Sequence, residues 1–285
     1  MLKHLRDPVY VCRPEQIFTR VWYAFRGLQD RETAELAWGG QLTVLGTEKN
    51  GRTILHRGAK ELAVTEACFR LSRIGTVGVD VGANVGHMTS ALAHAMKAGR
   101  VHAFEPHPEI FPLLQENASR LARETPKVSL TVREAAVGRT TQPQTLHVPE
   151  QWSQNRGLAS LCERAESETV EVEACRLDEE FDGPIQVLKL DVEGYEPAVL
   201  EGARTLLSNQ RIHHVLFEDH DIENSAAVQR LRETGYTIFA VRKRLLGPKL
   251  IPLRQSDGYN FVATVRPKEC ISSFEPNGWY SLRNQ

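Results

Sequence analysis

"VGVDVGANVGHM", residues 77–88, is a short apolar run, an aspartate, and then glycines spaced G-x-N-x-G. Gly82 and Gly86 carry no Cβ, so the chain can turn tightly there and a ligand can come close to the backbone. A strand, a glycine turn and a helix in that order form the nucleotide-binding corner of an open α/β sheet. Asn84 breaks the G-x-G-x-x-G spacing of dinucleotide enzymes, because it stands where their second glycine falls. The stretch therefore points to a nucleotide-like ligand of another kind.

The flanking pattern supports the same sheet. "TVGVDV" reads as a strand, and residues 85–98 as a helix with Val85, Met88, Leu92 and Met96 near one face. "RVHAFE" is the next strand, "PEIFPLLQENASRLARE" the next helix, and "VSLTVREAAV" the third strand. "IQVLKLDVEG" is almost continuously apolar, as a central strand covered on both faces should be. The helix "EPAVLEGARTLL" follows, then a fifth strand "IHHVLFEDH" and a helix "SAAVQRLRETG". "YTIFAVRK" and "GYNFVATVR" make a terminal pair, and "TLHVP" with "ETVEVEAC" an antiparallel pair beside the sheet. This alternation predicts an α/β fold with a parallel, doubly wound sheet and right-handed crossovers. Residues 1–70 read as an N-terminal extension of helix, β-hairpin and helix, and residues 71–285 as the ligand-binding domain. The hairpin is assigned to "QLTVLGTEKNGRTILHRG", turning at Asn50-Gly51.

The 285 residues are 41% hydrophobic and 25% charged with a formal net charge of −1, which gives no electrostatic reason to expect nucleic acid. No run approaches the ~18 apolar residues of a membrane span, and the N-terminus lacks a signal peptide's apolar core, so a cytoplasmic protein is expected. Cys12, Cys68, Cys162, Cys175 and Cys270 never fall into C-x-x-C, which argues against a zinc site or a disulfide framework. No metal is predicted, although the acid clusters described below leave Mg²⁺ or Ca²⁺ as an alternative.

A ligand of such a sheet sits beyond the carboxyl ends of the strands. Asp80, Gly82, Asn84 and Gly86 occupy the first of these ends. Glu105 closes the second strand, where a carboxylate accepts hydrogen bonds from both hydroxyls of a ribose. Glu134 or Ala135, ending the third strand, is placed to meet an adenine edge. Together they describe an adenosine pocket. The turn has neither the glycine spacing nor the basic residues that a pyrophosphate needs. S-adenosylmethionine carries no phosphate, and the ammonium of its amino-acid tail suits an acid such as Asp80.

"DVGANVGHMT", "HAFEPHPEIFPLLQEN", "EAAVG" and above all "VLKLDVEGYEPAVLEGA" resemble the FkbM family of S-adenosylmethionine-dependent methyltransferases, over roughly residues 37–265. The resemblance implies a class I methyltransferase (Rossmann-like) sheet, mostly parallel and seven-stranded with an antiparallel terminal strand. It implies O-methylation of a hydroxyl, commonly on a sugar or natural product, with S-adenosylhomocysteine as the product. It also implies that Gly82, Asn84, Gly86 and Glu105 line the cofactor site.

Methyl transfer to a hydroxyl needs alignment of the nucleophile and a proton acceptor. Lys189 and Asp191 lie two apart at the end of the fourth strand and face the same way, as do Glu218 and His220 at the end of the fifth. His220, with an ordinary imidazole pKa of ~6.5, is the best-matched base at neutral pH. Asp191 is expected between cofactor and acceptor, and Lys189 is expected to neutralise Asp191 or Glu218. The polar, irregular residues 151–168 read as a loop over the site. Three other readings stay open: an NAD-dependent oxidoreductase or epimerase, an RNA 2′-O-methyltransferase, and a catalytically silent cofactor-binding module. The sequence does not specify an oligomeric state.

Overall fold

The structure, a computed structural model, describes residues 7–149, 152, 157–162, 167–253 and 259–282. The chain opens with helices α1 (Pro8–Cys12) and α2 (Glu15–Arg26), strands β1 (Arg31–Glu35) and β2 (Gln41–Leu45), and helices α3 (Lys49–Arg57) and α4 (Leu62–Leu71). Then come β3 (Thr76–Val81), α5 (His87–Met96), β4 (Gly99–Phe104), α6 (Phe111–Glu124) and β5 (Val128–Arg133). Short strands follow: β6 (Ala136–Val137), β7 (Gln144–Pro149), β8 (Ser167–Val172) and β9 (Ala174–Cys175). Next are α7 (Leu177–Glu180), β10 (Ile185–Leu190), α8 (Glu196–Gly202), α9 (Arg204–Ser208), β11 (Ile212–Glu218) and α10 (Ala226–Glu233). Strands β12 (Thr237–Arg242), β13 (Lys249–Pro252) and β14 (Asn260–Thr264) and helix α11 (Pro267–Phe274) complete the order.

The main sheet has eight strands in the order β13-β12-β14-β11-β10-β3-β4-β5. Strands β5, β4, β3, β10 and β11 run parallel, and β14 is antiparallel to both β11 and β12. The Rossmann-like α/β expectation holds, but seven strands is one too few: β13 adds to the edge as a hairpin partner of β12. All six residues of β10 are buried, which accounts for its unbroken apolar run. Strand order reverses between β3 and β10, so a crevice opens at their carboxyl ends. The pairs β7–β8 and β12–β14 are both antiparallel, as their alternation suggested.

The N-terminal hairpin is not the one read from Asn50-Gly51. β2 pairs with β1, and residues 49–57 form a helix whose Gly51 amide is capped by the Glu48 side chain at 2.7 Å. A Cβ on Gly51 would stand 2.0 Å from the Leu45 carbonyl, so this glycine serves the close seating of α3 on the end of β2. β1 escaped notice because "RETAE" is a mostly charged and exposed strand with one buried residue, Ala34.

Residues 7–70 pack as a further layer on the sheet's helices. Leu36, Trp38, Val44, Ile54 and Ala67 share a hydrophobic cluster with Met88, Leu92 and Val101. Asn117 on α6 takes the Thr43 amide and donates to the carbonyls of Thr43 and Val85, each at 2.8 Å. The Trp38 indole donates to Ser90 on α5.

Candidate functional site

A cavity lies at the carboxyl ends of β3, β4 and β10, lined on its floor by Gly82, Asn84, Glu105, Ala135, Lys189 and Asp191. The backbone dictates the turn after β3. The Gly82 and Ala83 amides both donate to the Phe104 carbonyl of β4, at 3.0 and 2.9 Å, which bends the chain across the strand end. Gly82 has φ +73°, and a Cβ there would stand 2.0 Å from the Asp191 carbonyl oxygen. Asn84 takes φ +50°, a left-handed conformation that asparagine tolerates. Its Oδ1 accepts the next amide, from Val85, at 2.8 Å. The break in the glycine fingerprint is therefore a residue suited to the same backbone bend.

Glu105 is buried and accepts the Asn84 amide on Oε2 at 2.8 Å and the His107 amide on Oε1 at 2.9 Å. Each oxygen keeps a second lone pair for a ligand hydroxyl. Burial pushes this carboxyl up to about 7, against the two amides and Lys189, which pull it down. Ala135 lines the cavity beside Phe104 and Val137. Its neighbour Glu134 is exposed and faces a separate surface hollow, so of the two candidates for the adenine edge only Ala135 is at the site. Gly86 begins α5 against Leu114 and shapes the turn without lining the cavity.

Asp80 lies beneath the site: it is fully buried and is not among the residues lining the cavity. The register puts Lys189 of β10 directly opposite it, and the Lys189 ammonium lies 3.2 Å from Asp80 Oδ1. Thr89 donates to Asp80 Oδ2 at 2.7 Å. Lys189 also donates to the Gly82 carbonyl at 3.0 Å and lies 3.6 Å from Asp191 Oδ2. One buried lysine thus ties the strand end, the glycine turn and Asp191 together. Burial works to lower its pKa, but Asp80, Asp191 and Glu61 outweigh burial and hold the ammonium above the usual lysine value. Lys189 cannot serve as a base. Burial alone would raise Asp191, yet Lys189 and Lys60 hold it below the usual carboxylate value.

A second, shallower concavity opens next to the first and shares Asp191 and Glu193 with it. Glu196, Glu218, Asp219, His220 and Asp221 line it, and among the described residues no lysine or arginine does. Glu218, half-buried at the end of β11, is pushed up to about 7 by burial first and then by the charges of Glu61 and Asp191. His220 lies beyond the last residue of the strand, so the alternation that paired it with Glu218 does not apply. It is exposed at the rim, with its ring 4.7 Å from that of Tyr259. Glu196 is buried and accepts the Val192 amide, closing the turn after β10.

The opposite wall is built largely from the N-terminal extension, by residues that the sequence does not single out. Asn50 and Ile54 of α3, Lys60 and Glu61 before α4, and His87 of α5 all line the donor cavity. Lys60 pairs with Glu61, which sits at φ +47°. His87 accepts the Lys60 amide on Nε2 at 3.1 Å, and burial followed by the charges of Lys60 and Lys189 pushes its pKa down to about 3. It is a neutral ring at working pH. The one signal in the sequence was a charged Lys60-Glu61 step just before a helix that opens on the apolar run Leu62-Ala63-Val64. The loop over the site is partly described: Gly157, Ala159, Ser160 and Leu161 line the cavity, and Ser160 bonds the Glu193 carbonyl at 2.9 Å. Residues 150, 151, 153–156 and 163–166 lie outside the described residues. Among the described residues no three acids, histidines or cysteines are grouped to hold a metal ion, and no helix is long and apolar enough to cross a membrane.

Residues 80–238 match the methyltransferase FkbM domain. The 31-O-demethyl-FK506 methyltransferase FkbM of Streptomyces tacrolimicus is 31% identical over 231 residues, which span 67% of this chain and 88% of that protein. Among solved structures, a methyltransferase FkbM from Methylobacillus flagellatus KT aligns with a TM-score of 0.44 and 17% identity, covering 72% of this chain and 55% of that one. A SAM-dependent O-methyltransferase from Thermotoga maritima aligns with a TM-score of 0.42 and 15% identity, covering 82% of this chain and 77% of that one.

Proposed function

This chain belongs to the methyltransferase FkbM family, and from that premise we propose that it is an S-adenosylmethionine-dependent O-methyltransferase acting on a hydroxyl of a sugar, glycan or natural product. The observation that carries the reading is the junction at Asp191, where a cavity built for a phosphate-free nucleoside meets an acid-lined mouth. The residues of the cavity fit the cofactor. Glu105 has free lone pairs for a ribose, Val81, Phe104, Ala135 and Val137 offer apolar surface for a base, and Asp191 presents a carboxylate held ionised. When bound, S-adenosylmethionine supplies an electrophilic methyl group on a sulfonium.

The rest falls to the chain's own residues. Lys189 fixes Asp191 at the junction, and Asp191 orients the incoming hydroxyl toward the donor cavity. The described part of the 157–162 loop lines the cavity and is tied down by Ser160, which would help to exclude water from a bound complex. Glu218 is the better proton acceptor, because a base works best when its pKa is near the operating pH, and it faces the mouth from a half-buried position. This moves the base from His220, which becomes a rim residue for the acceptor. An acid-lined mouth repels phosphodiesters and suits a neutral or cationic polyol, which disfavours the RNA reading. The name of the Streptomyces relative, which acts on a 31-O-demethyl compound, adds support for a hydroxyl acceptor.

Calorimetry tests the central claim. S-adenosylmethionine and S-adenosylhomocysteine should bind and NAD should not. Glu105→Ala should weaken S-adenosylhomocysteine roughly 100-fold, because two charge-assisted hydrogen bonds are lost. Binding of NAD, or an unchanged affinity in a variant shown to be folded, overturns the reading.

A further inference from the structure

Helix α2 is docked with its apolar face outward. Only Gln16 and Tyr23 of its twelve residues are buried, with Tyr23 resting on His56 of α3. Phe18 is 77% exposed, Trp22 54% and Phe25 90%, and Val21 and Ile17 are exposed beside them. The spacing 18-21-22-25 puts these side chains on one stripe of the helix, the pattern of a helix seam rather than of scattered surface residues. A contiguous aromatic stripe of this kind is at the upper end of what a monomer exposes and marks an interaction surface.

We propose that this stripe is a homodimer interface, in which α2 packs against α2 of a second copy of the chain across a twofold axis near Val21. At roughly 150–250 Å² per aromatic side chain, the exposed fractions of Phe18, Trp22 and Phe25 amount to about 450 Å² per chain. Two copies with Ile17 and Val21 added reach about 1,200 Å², where stable interfaces begin. Antiparallel packing about that axis brings Phe18 of one chain to the Phe25 end of the other, so a single stripe is complementary to itself.

Charge argues for a protein surface over a lipid one. Residues 13–32 carry Arg13, Arg20, Arg26 and Arg31 against Glu15, Asp30 and Glu32. Arg13 pairs with Glu15 and Arg26 with Glu32, so residues 13–32 carry a basic excess of one charge, a weak hold for an interfacial helix on anionic membrane. Arg26 also lies over the Trp22 ring, 4.6 Å from its centroid, which steadies that side chain for packing.

Sedimentation of the full chain between about 1 and 100 µM should give twice the chain mass. Phe18→Glu with Phe25→Glu should raise the dimer dissociation constant at least 100-fold, while the far-ultraviolet spectrum and melting midpoint of the resulting monomer stay native. Phe18→Leu should stay dimeric. A wild-type monomer at 100 µM overturns the proposal, as does a dimer indifferent to the double substitution. So does a monomer that floats with phosphatidylglycerol vesicles and loses them on the double substitution. The interface is independent of the methyl-transfer reading, and cofactor binding measured on the monomeric variant separates the two.

Discussion

The floor of the donor cavity and the wall facing it are built by different rules. On the floor, each residue is held by a partner that the sheet itself supplies. The Gly82 and Ala83 amides bond to Phe104, the Asn84 amide bonds to Glu105, and Lys189 stands in register with Asp80. On the wall, Asn50 and Ile54 arrive on α3 and Lys60 and Glu61 just before α4, in a layer tied to the sheet's helices by Thr43 on Asn117 and Trp38 on Ser90. The floor's polar groups serve mainly one another, so their loss should strike the fold as well as the chemistry. The wall's charged residues stand at the ligand's edge, so their loss should strike affinity and leave the fold alone.

Lys189→Met is the severest test of that contrast. It leaves Asp80 buried with only Thr89 as a partner and frees Asp191 from the turn. Breaking one side of a buried ion pair costs about 3–5 kcal/mol, or roughly 10 °C in the melting midpoint of a domain this size. Methyl transfer should fall with it. A variant that melts within a degree or two of wild type would show that the floor is not a single rigid unit.

Glu218→Gln probes the mouth that both regions share. Glu218 accepts a proton only when ionised, and its pKa is about 7, so wild-type kcat should climb as pH rises through that value. The amide variant should lose about 100-fold in kcat and show no limb near 7. If the limb survives at saturating cofactor, another group titrates there and Glu218 is not the base.

The sequence disclosed the floor's positions better than their duties. Alternating strands and helices, the glycine turn and the terminal Glu105 are local patterns, and they located the crevice. Asp80 was assigned to the ligand because its partner, Lys189, lies 109 residues away on a strand whose register no local pattern reveals. His220 was paired with Glu218 by alternation; both line the mouth, but His220 sits past the strand end at its exposed rim. The hairpin misreading had the same root. Asn-Gly favours a tight turn in isolation, but a Glu48 cap and contact with Leu45 make it a helix start. The wall had almost no signature, because Lys60 and Glu61 take their meaning from a tertiary contact.

Glu61 gives the gentlest and most discriminating test. It holds φ +47° without being glycine, a conformation that costs an L-residue about 1–2 kcal/mol. Its side chain makes no cap bond to α4, although its carbonyl accepts the first helical amides, from Val64 and Thr65. It pairs instead with Lys60 at the cavity and acts on the charges of Lys189 and Glu218. Backbone strain retained at such a place is the mark of a residue kept for a ligand. Glu61→Gly should therefore leave the melting midpoint unchanged or raise it, by up to about 1 kcal/mol of stability. The acceptor KM should meanwhile rise three- to tenfold, about 0.7–1.4 kcal/mol. If instead the variant melts several degrees lower and KM holds, the wall is scaffold like the floor, and the contrast between them fails.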